Sequence, residues 1–566
     1  MRALRSGRRM VLATMLAAGA ALGAGTANAT FIIVNTDGAG EGFNDPTPAA
    51  PVGGNPGTTV GQQRLNVFNK AGEVWDAILQ SPVPIYVRAS FDPLPCAPTS
   101  GVLGSAGPYV VESDFANAPF AATWYAGAEA NRLADSDLDP GVEDIEAQFQ
   151  SNVGTASCLT SRSWYYGYDG NEGATGIDLL AVLLHEFGHG LGFLTLTDET
   201  TGNYFNGMPT IFDRYLMDDV SGKHWIDMTP SERIASAINT GHLVWDGPTV
   251  TARAPDKLGK RAHVVASGAV SGDFVSGQGV FYPPLTTTGT TGDVVLVNDG
   301  SGTTTDGCQT PFVNAGSIAG KVALMDLSSS CSMAQQALNA QNAGAIAAII
   351  ANNVAGPAQQ LRGAFPTVSI PVASLSLADA NTVKAALGSG TVHVTIALDP
   401  AHLAGTDDAG RVRMYDPNPD QPGSSVSHYD VSAFPNVLME PSINPDLTTN
   451  VDLTHALFVD IGWFVGVAAV GDAPAVSAAL SVAPNPTSAG GVLRFTLAET
   501  RPVDLAVFDV AGRRVAQLAH RTMTAGRQEV RWSRVGDDGR RVGPGVYLVR
   551  LKSGSEEKSV RLVLVD

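Results

Sequence analysis

The chain has 566 residues, more than one hydrophobic core can organise, which predicts roughly three or four domains. Hydrophobic residues make up 44% of it and charged residues 16%, a balance typical of globular proteins, and the formal net charge is −19. So acidic a chain is a poor partner for nucleic acid and for anionic membranes, because their phosphates repel it.

The N-terminus predicts a signal peptide over residues 1–29. Four arginines come first, the apolar stretch 11–25 follows, and Ala27-Asn28-Ala29 supplies the small residues of a cleavage site. The pair Arg8-Arg9 fits a twin-arginine signal loosely, but the pattern favours general secretion. No later apolar run is long enough to span a bilayer. We therefore expect a secreted or cell-surface bacterial protein whose mature chain starts at Thr30.

The cysteines predict disulfide bonds. An exported chain with an even number of cysteines usually pairs them, and this one has four: Cys96, Cys158, Cys308 and Cys331. Pairing between sequence neighbours would join Cys96 to Cys158 and Cys308 to Cys331. The other two connectivities remain open from the sequence.

Residues 30–253 form the first predicted block. Phe31-Ile32-Ile33-Val34 is typical of a strand, and the apolar spacing from Gln62 to Leu79 predicts a helix. Pro84–Phe91 alternates between apolar and polar residues like a second strand.

An acidic segment in this block resembles a calcium loop. Asp135-Ser136-Asp137-Leu138-Asp139, with Glu146 at the twelfth position, matches the acidic positions of an EF-hand loop. Pro140 stands where that loop needs glycine. The sequence therefore favours a solvated acidic turn, with calcium binding as the alternative.

His185, Glu186 and His189 form the pattern H-E-x-x-H. On a helix, residues four apart lie on one face, so the two histidines can bind the same metal ion. Glu186 then lies where it can act as a base on activated water, since zinc lowers the pKa of water from about 16 to about 7. The pattern predicts Zn²⁺ binding, with Glu186 as the catalytic base.

The residues around this pattern predict a buried site. Residues 177–184, which precede it, are almost wholly apolar, and a buried charge or imidazole needs a partner such as a metal ion. Gly192 lets the chain leave the helix through a left-handed turn. The alternative is a pair of exposed helix histidines beside a solvated glutamate, which the apolar surroundings disfavour.

Residues 254–400 form the second predicted block. Strands are predicted at Gly320–Asp326, Ala345–Asn353 and Ile370–Leu375, and helices at Ala334–Gly344 and Ser376–Leu387. The block resembles the protease-associated domain, an α/β module, through Gly320-Lys321-Val322-Ala323-Leu324, Cys331, Ala340–Ala345 and Asn352-Asn353. The resemblance implies a substrate-gating or interaction module without catalytic residues of its own.

Residues 401–467 look like a continuation of a protease, with the segments Ser424–Asp430, Leu438–Pro441 and Leu453–Trp463. A catalytic zinc ion binds three protein ligands and a water molecule, so the helix lacks one ligand. The compact metzincin pattern would place a histidine at position 195, which is Thr195. We choose His428 as the third ligand. The alternatives are His224, His242, Glu199 and Glu232.

Met439 follows His428 by 11 residues. With the helix motif, this pair resembles leishmanolysin-like metzincins, in which the third histidine comes long after the helix and a methionine turn lies beneath the metal. The resemblance implies that His185, His189 and His428 bind Zn²⁺, that Glu186 is the base and that Met439 is the turn methionine. The long stretch between His189 and His428 contains the second predicted block. Because a surface loop tolerates an inserted domain whose ends lie close together, we expect a split protease.

Residues 468–479 are a linker of small residues, and residues 480–566 form the last block. Short alternating strands between turns are predicted after the opening Pro484-Asn485-Pro486, for example at Val507–Arg513 and Gly545–Leu551. The pattern predicts a small β-sandwich. It resembles the immunoglobulin-like C-terminal domains of secreted bacterial proteins, including type IX sorting domains. The resemblance implies contact with secretion machinery or with the cell surface.

The predicted fold is an α+β metzincin-like catalytic domain, split by an inserted α/β protease-associated domain and followed by a small all-β immunoglobulin-like sandwich. The predicted function is that of a secreted zinc endopeptidase acting on protein or peptide substrates. One alternative is a non-catalytic adhesin or binding scaffold with a structural zinc, although a structural site has no use for Glu186 as a base. Another is an exopeptidase, whose families usually bind two metals through scattered ligands.

Overall fold

The computed structural model describes residues 31–79, 81–279, 283–300, 302–361, 367–442, 451–464, 481–483, 487–488, 490–497, 501–509, 513–523, 526–537, 539–553 and 556–565. The predicted signal peptide, the linker 468–479 and Pro484-Asn485-Pro486 lie outside these residues. The chain divides into two compact units, residues 1–466 and 467–566. Among the helices described, none is long and apolar enough to cross a membrane.

The first unit begins with an open sheet and its helices. In chain order the elements are β1 (Phe31–Asn35), α1 (Val60–Leu79), β2 (Ile85–Asp92), β3 (Gly104–Pro108), β4 (Val111–Glu112), β5 (Tyr125–Ala126), α2 (Gly127–Ala134), β6 (Ile145–Gln150), β7 (Ser163–Tyr165), β8 (Gly176–Asp178) and α3 (Leu179–Gly190). The sheet order is β1-β2-β6-β3, with β1, β2 and β6 parallel and β3 antiparallel at the edge.

Apolar spacing explains how α1 and α3 cover this sheet. The residues Val67, Phe68, Ala71 and Trp75 fall on one face of α1 and are fully buried, as the helical period requires. Helix α3 is buried on every side: its first six residues are apolar, and all 12 of its residues are buried, in contact with α1, β3 and β6. The sheet and α1 thereby fix the position of the H-E-x-x-H helix.

A small second sheet follows α3. Its elements are β9 (Leu216–Asp218), β10 (Lys223–His224), α4 (Pro230–Ala237), β11 (Leu243–Trp245) and α5 (Pro248–Lys257). The strand order is β10-β9-β11-β19, where β19 (Val412–Arg413) comes from beyond the second predicted block. The segments before and after that block are therefore joined in one sheet.

The second block folds around a sheet of seven strands. Its elements are β12 (Lys260–Gly268), β13 (Gly272–Ser276), β14 (Thr290–Leu296), α6 (Ala315–Ile318), β15 (Val322–Asp326), α7 (Met333–Asn342), β16 (Ala347–Ala351), β17 (Val372–Leu375), α8 (Leu377–Leu387) and β18 (Val392–Leu403). The strand order is β13-β12-β18-β14-β15-β16-β17, and β14 to β17 run parallel. Apolar clusters cover both faces of this sheet.

The two ends of the block lie side by side. Lys260, which opens β12, pairs with Leu403, which closes β18, and the backbone N–H of Ala404 donates to Gly259 O at 2.9 Å. The expected boundary at Ala254 falls inside α5, whose Val250 and Ala254 belong to the first apolar core. The sheet itself therefore starts after α5, at Lys260. Beyond β19 the chain adds α9 (Thr454–Ile461) to the first core.

The second unit consists of two antiparallel sheets. Its strands are β20 (Ser481–Ala483), β21 (Gly491–Leu497), β22 (Arg501–Asp509), β23 (Arg514–Met523), β24 (Gly526–Trp532), β25 (Gly545–Ser553) and β26 (Glu556–Leu564). The sheet orders are β20-β21-β24 and β23-β22-β25-β26. Side chains of both sheets share one apolar cluster. Two disulfides lie in the first unit, where Cys96 bonds to Cys158 and Cys308 bonds to Cys331.

Candidate metal centre

Both ends of α3 are closed by local hydrogen bonds. Asp178 caps the start, where its carboxylate accepts the N–H of Leu180 at 2.8 Å. At the other end Gly192 adopts φ +117°, and the N–H of Phe193 donates to Gly188 O at 3.1 Å. This is a Schellman ending, which favours glycine because the left-handed conformation strains residues that carry a Cβ. The chain turns back at once beneath the helix.

Three histidine side chains converge at the middle of α3. The Nε2 atoms of His189 and His185 lie 3.1 Å apart, those of His189 and His428 lie 3.2 Å apart, and those of His428 and His185 lie 3.3 Å apart. All three residues are buried. Among the described residues, they are the one set of three or more metal-binding side chains close enough to share an ion.

The tautomers of these histidines fit a metal ion. Each Nδ1–H donates to a backbone carbonyl: His185 to Leu438 O at 2.7 Å, His189 to Phe193 O at 2.8 Å and His428 to Ser424 O at 2.7 Å. The three Nε2 atoms therefore carry lone pairs that point at one another without a proton between them. A cation relieves that repulsion. A tetrahedral zinc site with Zn–N bonds of about 2.0–2.1 Å separates its ligand atoms by about 3.3 Å, close to the observed spacing.

Burial keeps the imidazoles neutral. It lowers the pKa of His185 to about 4 and, together with the neighbouring His185, that of His189 to about 3. The pKa of His428 is also held well below its ordinary value, by burial and by the other two rings. Neutral imidazole is the form that binds metal ions, so the ligand atoms need no deprotonation at neutral pH.

Glu186 lies beside this triad and against the edge strand. Its carboxyl is hydrogen-bonded by the backbone of Ala106, and a Cβ on Gly104 would come within 3.1 Å of its Cγ. Burial raises the pKa of Glu186 to about 8, although the Ala106 hydrogen bond opposes the shift. A carboxyl group with a raised pKa can both accept and return a proton near neutral pH.

Met439 lies beneath the middle of α3. A Cβ on Gly188 would come within 2.7 Å of the Met439 Sδ, so this close approach requires glycine in the helix. The Leu438 carbonyl that accepts the His185 Nδ1–H belongs to the same turn. Leu438 N–H in turn donates to Asp452 Oδ2 at 2.5 Å. The turn that carries Met439 therefore also orients a candidate ligand.

His428 is positioned by contacts with the segment after α3. The N–H of Thr195 donates to Ser427 Oγ at 3.1 Å, and Tyr415 N–H donates to His428 O at 2.9 Å. Thr195 stands where a compact metzincin would carry its third histidine. Its hydroxyl donates instead to the fully buried Asp213 at 2.5 Å.

Asp213 is a structural residue that the sequence does not reveal. Its carboxylate also accepts the Thr197 hydroxyl at 3.1 Å and the Thr210 N–H at 2.7 Å, which closes the loop between α3 and β9. A lone aspartate in a loop carries no sequence signal of such a role. Only the hydroxyl pair Thr195 and Thr197 hints at a buried acceptor.

The four residues considered as alternative third ligands are not part of the histidine triad. His224 Nε2 is 2.9 Å from Asp246, and His242 Nδ1 is 2.7 Å from Asp219. Glu232 closes a capping box with Thr229 at the start of α4 and also pairs with a lysine. Burial and nearby carboxylates raise the pKa of Glu199 to about 7. The structure does not bring any of the four into the histidine triad.

The acidic side chains considered for calcium binding do not converge on one point. Asp135 ends α2 in a left-handed conformation, whereas Glu146 lies on β6, 3.8 Å from the Arg88 guanidinium. The pKa of Glu112 is raised to about 7 by burial and by its contact with Asp139. Within the described part of the chain, these carboxylates form no metal-binding set of three.

Comparisons with known proteins identify one domain. The protein-family profile described as PA domain matches residues 290–383, so the chain contains a PA domain. A comparison with curated proteins finds no match.

Several solved structures are similar to parts of the chain. One is an aminopeptidase from Aneurinibacillus sp. strain AM-1, with 17% identity over 25% of this chain and 30% of that one and a TM-score of 0.19. Another is BSAP, a zinc aminopeptidase from Bacillus subtilis, with 21% identity over 25% and 31% and a TM-score of 0.19. PorU from Porphyromonas gingivalis has 24% identity over 17% and 10% and a TM-score of 0.15. Each match spans less than a third of the other protein, and at these TM-scores none bears on the activity.

Proposed function

We propose that the chain is an exported zinc endopeptidase whose ligands are His185, His189 and His428 and whose base is Glu186. The observation that carries the proposal is the convergence of three neutral Nε2 atoms within 3.3 Å beside a buried carboxyl group. A structural zinc site is usually closed by a fourth protein ligand, whereas a catalytic site keeps one position open. Three histidines next to a carboxylic acid match the catalytic kind.

The residues around the triad suit peptide hydrolysis. When bound, zinc acts as a Lewis acid that polarises a carbonyl group and makes water nucleophilic at neutral pH. Glu186 accepts a proton from the attacking water and passes it to the leaving amine. The backbone of Ala106 holds the Glu186 carboxyl in place, and the carbonyls of Leu438, Phe193 and Ser424 hold the histidine rings.

The edge strand supports endopeptidase rather than exopeptidase activity. Strand β3 ends the sheet β1-β2-β6-β3 and pairs with β6 on one side. Among the described strands none pairs with its other side, which can offer backbone groups to an extended peptide close to Glu186, since a Cβ on Gly104 would lie 3.1 Å from the Glu186 Cγ. A strand accepts a peptide that continues in both directions, so recognition of a chain end is not required.

The remaining domain assignments are part of the same proposal. The histidine that follows a long gap and the methionine turn support a leishmanolysin-like metzincin, with the PA domain inserted between β11 and β19. The two antiparallel sheets of the second unit support an immunoglobulin-like sorting domain. The predicted signal peptide and the two disulfides support export to an oxidising compartment.

The rival function is a non-catalytic scaffold with a structural zinc, and Glu186→Gln separates the two. The variant should keep stoichiometric zinc, because Glu186 is not a ligand. It should lose peptide cleavage by roughly a thousandfold, as expected when a positioned base is removed. Zinc content and kcat/KM on a peptide substrate measure both effects. Glu73→Gln, on the exposed side of α1, is the matched control. Cleavage by Glu186→Gln at the parent rate would refute the mechanism.

A further inference from the structure

The junction between the inserted block and the protease core is itself part of the packed interior. The sheet of the block begins at Lys260 and ends at Leu403, and we call the residues just outside it, Gly259, Ala404 and Gly405, the junction. Ala404 N–H donates to Gly259 O at 2.9 Å, so the two chains of the junction are bonded to each other. Ala404 and Gly405 are buried, and Gly259 is half-buried. The block is therefore not attached through exposed linkers.

Residues 429–439, which we call the ligand loop, form a closed loop between the third histidine and the methionine. Tyr429 N–H donates to Met439 O at 2.8 Å, and this bond closes the base of the loop. Two of the three candidate zinc ligands depend on this base. His428 directly precedes Tyr429, and Leu438, whose carbonyl accepts the Nδ1–H of another ligand histidine at 2.7 Å, directly precedes Met439. A displacement of the base therefore moves both ligands.

The junction contacts the opposite end of the ligand loop. Gly259 N–H donates to Phe434 O at 2.7 Å. Gly405 lies so close to Ala433, which is 1% exposed, that a Cβ on Gly405 would come within 2.6 Å of the Ala433 Cα. Ala433 and Phe434 lie midway along the loop in sequence. The junction therefore holds the tip of the loop whose base supports the ligands.

The close approach at Gly405 requires glycine. Its φ of +71° lies in the left-handed region, which is strained for residues that carry a Cβ. The backbone there is also fixed from the other side, because Gly405 O accepts Arg413 N–H at 2.9 Å and Arg413 O accepts Asp430 N–H at 2.9 Å. A Cβ on Gly405 would meet backbone atoms rather than a flexible side chain, so the ligand loop must move to admit it.

We propose that Gly405 and Gly259 are positioning residues of the zinc centre, which hold the tip of the ligand loop and thereby place His428 and orient His185. The proposal rests on the zinc ligands assigned under the proposed function. Zinc sites keep their ligand distances within about 0.2 Å of the usual values, so a displacement of a fraction of an ångström is enough to weaken binding. The same contacts join the inserted block to the metal centre.

The test compares Gly405→Ala with Gly410→Ala in residues 30–566. Gly410 also has a left-handed φ, +82°, but its Cβ would meet no atom within 4 Å, so only Gly405→Ala presses on the ligand loop. Competition with a chelating dye measures zinc affinity, and the visible spectrum of the cobalt-loaded protein reports the coordination. Gly405→Ala should bind zinc about 10–100-fold more weakly, the usual loss when the support of a metal ligand is disturbed, and should shift the cobalt spectrum. Gly410→Ala should match the parent in both, although backbone strain lowers the stability of both variants.

Gly259→Pro is the second variant if Gly405→Ala does not fold. It removes the N–H that Phe434 O accepts, and Leu258, at φ −94° and ψ 138°, already has the extended conformation that a following proline requires. It should also weaken zinc binding, by about tenfold or more.

Zinc affinities and cobalt spectra equal to those of the parent in the junction variants would overturn the proposal, even if their stability falls. Equal losses of affinity in Gly405→Ala and Gly410→Ala would also overturn it, because general destabilisation would then explain the effect. A parent that binds zinc but cuts no peptide would refute the endopeptidase assignment alone, since the comparison of affinities does not depend on cleavage.

Discussion

The three histidines of the proposed centre are oriented by three separate segments of backbone. The carbonyl of Leu438 comes from the methionine turn, that of Phe193 from the turn after α3, and that of Ser424 from the chain before His428. Each bond fixes one tautomer, so that Nε2 is left to bind the metal. Loss of a ring should therefore affect metal binding more than folding.

His428→Ala should reduce zinc affinity sharply, whereas His242→Ala should not. Removing one of three protein ligands leaves two corners of a tetrahedron, and the metal then dissociates more readily. His242 is half exposed and bonded to Asp219, away from the triad. Zinc content after dialysis and peptide cleavage measure both variants. A metal-free His242→Ala with an active His428→Ala would require a different ligand set.

Glu129 is a buried acid close to the exit of α3. It is fully buried, neither carboxyl oxygen has a hydrogen-bond partner among the described residues, and Oε2 lies 3.3 Å from the position of a Cβ on Gly192. Burial raises its pKa well above the ordinary value. Because an unpaired buried carboxylate is costly, the folded protein favours the protonated form of Glu129.

Glu129→Gln should gain stability relative to the parent as the pH rises from 5 to 8. Above its ordinary pKa of 4.5 the unfolded chain has lost the Glu129 proton, whereas burial favours the protonated form in the folded parent. The parent therefore loses stability as the pH rises towards the folded pKa, and the uncharged variant does not. The difference in free energy of unfolding should grow by up to about 1.4 kcal/mol per pH unit. Urea unfolding at several pH values measures it. A difference independent of pH would mean that Glu129 is ionised in the folded protein.

Residue spacing predicts part of this centre and misses the rest. His185, Glu186 and His189 form a local pattern, because helical geometry alone puts the histidines on one face. His428 is 239 residues from His189, and only the need for a third ligand and the family resemblance single it out. Glu129 and Asp213 could not be predicted, since burial of a single acid depends on packing by distant segments.

The elements around the centre are joined across the inserted block. Strand β11 precedes the block and β19 follows it, and the two pair directly. The block begins and ends at neighbouring positions, Lys260 and Leu403. A domain held at two adjacent residues can be added to a core without changing its packing.

Replacing residues 260–403 with a short Gly/Ser linker should leave a folded, zinc-binding peptidase. The hydrogen bond between Gly259 and Ala404 already brings the remaining ends together, so a few residues suffice. Cleavage of short peptides should persist, and the preference among protein substrates should change.

Deletion of 254–400 is the matched control for that experiment. It removes the end of α5, including the fully buried Ala254, as well as Leu258 from the first core. This control should be less stable than the shorter deletion by roughly 2 kcal/mol or more, the usual loss when large apolar groups leave a core. Thermal unfolding and zinc content compare the two. If the 260–403 deletion is itself unfolded, the PA domain is an integral part of the protease core.

Periodicity predicts the elements of this chain better than their ends. The apolar stripe from Gln62 to Leu79 corresponds to α1, Val60–Leu79, because burial on one face follows the helical period. The boundary expected at Ala254 falls within α5, Pro248–Lys257, because the helix continues through Pro255. Pairings such as β11 with β19 join residues far apart in sequence, and spacing carries no information about them.

At the scale of the whole molecule, charge and chemistry are divided between two units. The first unit holds the histidine triad, the PA domain and most of the acidic residues. The second is small, basic and built from two sheets around one core.

The most direct test of the zinc endopeptidase assignment is hydrolysis of peptides whose two ends are blocked by acetylation and amidation. Mass spectrometry of the products, with zinc-loaded protein, with protein stripped by a chelator and with protein reloaded with zinc, gives the result in one experiment. We expect cleavage at internal bonds that disappears on stripping and returns with zinc. A protein that holds one zinc ion per chain yet leaves blocked peptides and intact proteins uncut would contradict the assignment and favour a scaffold. Cleavage restricted to peptides with a free amino terminus would make it an aminopeptidase instead.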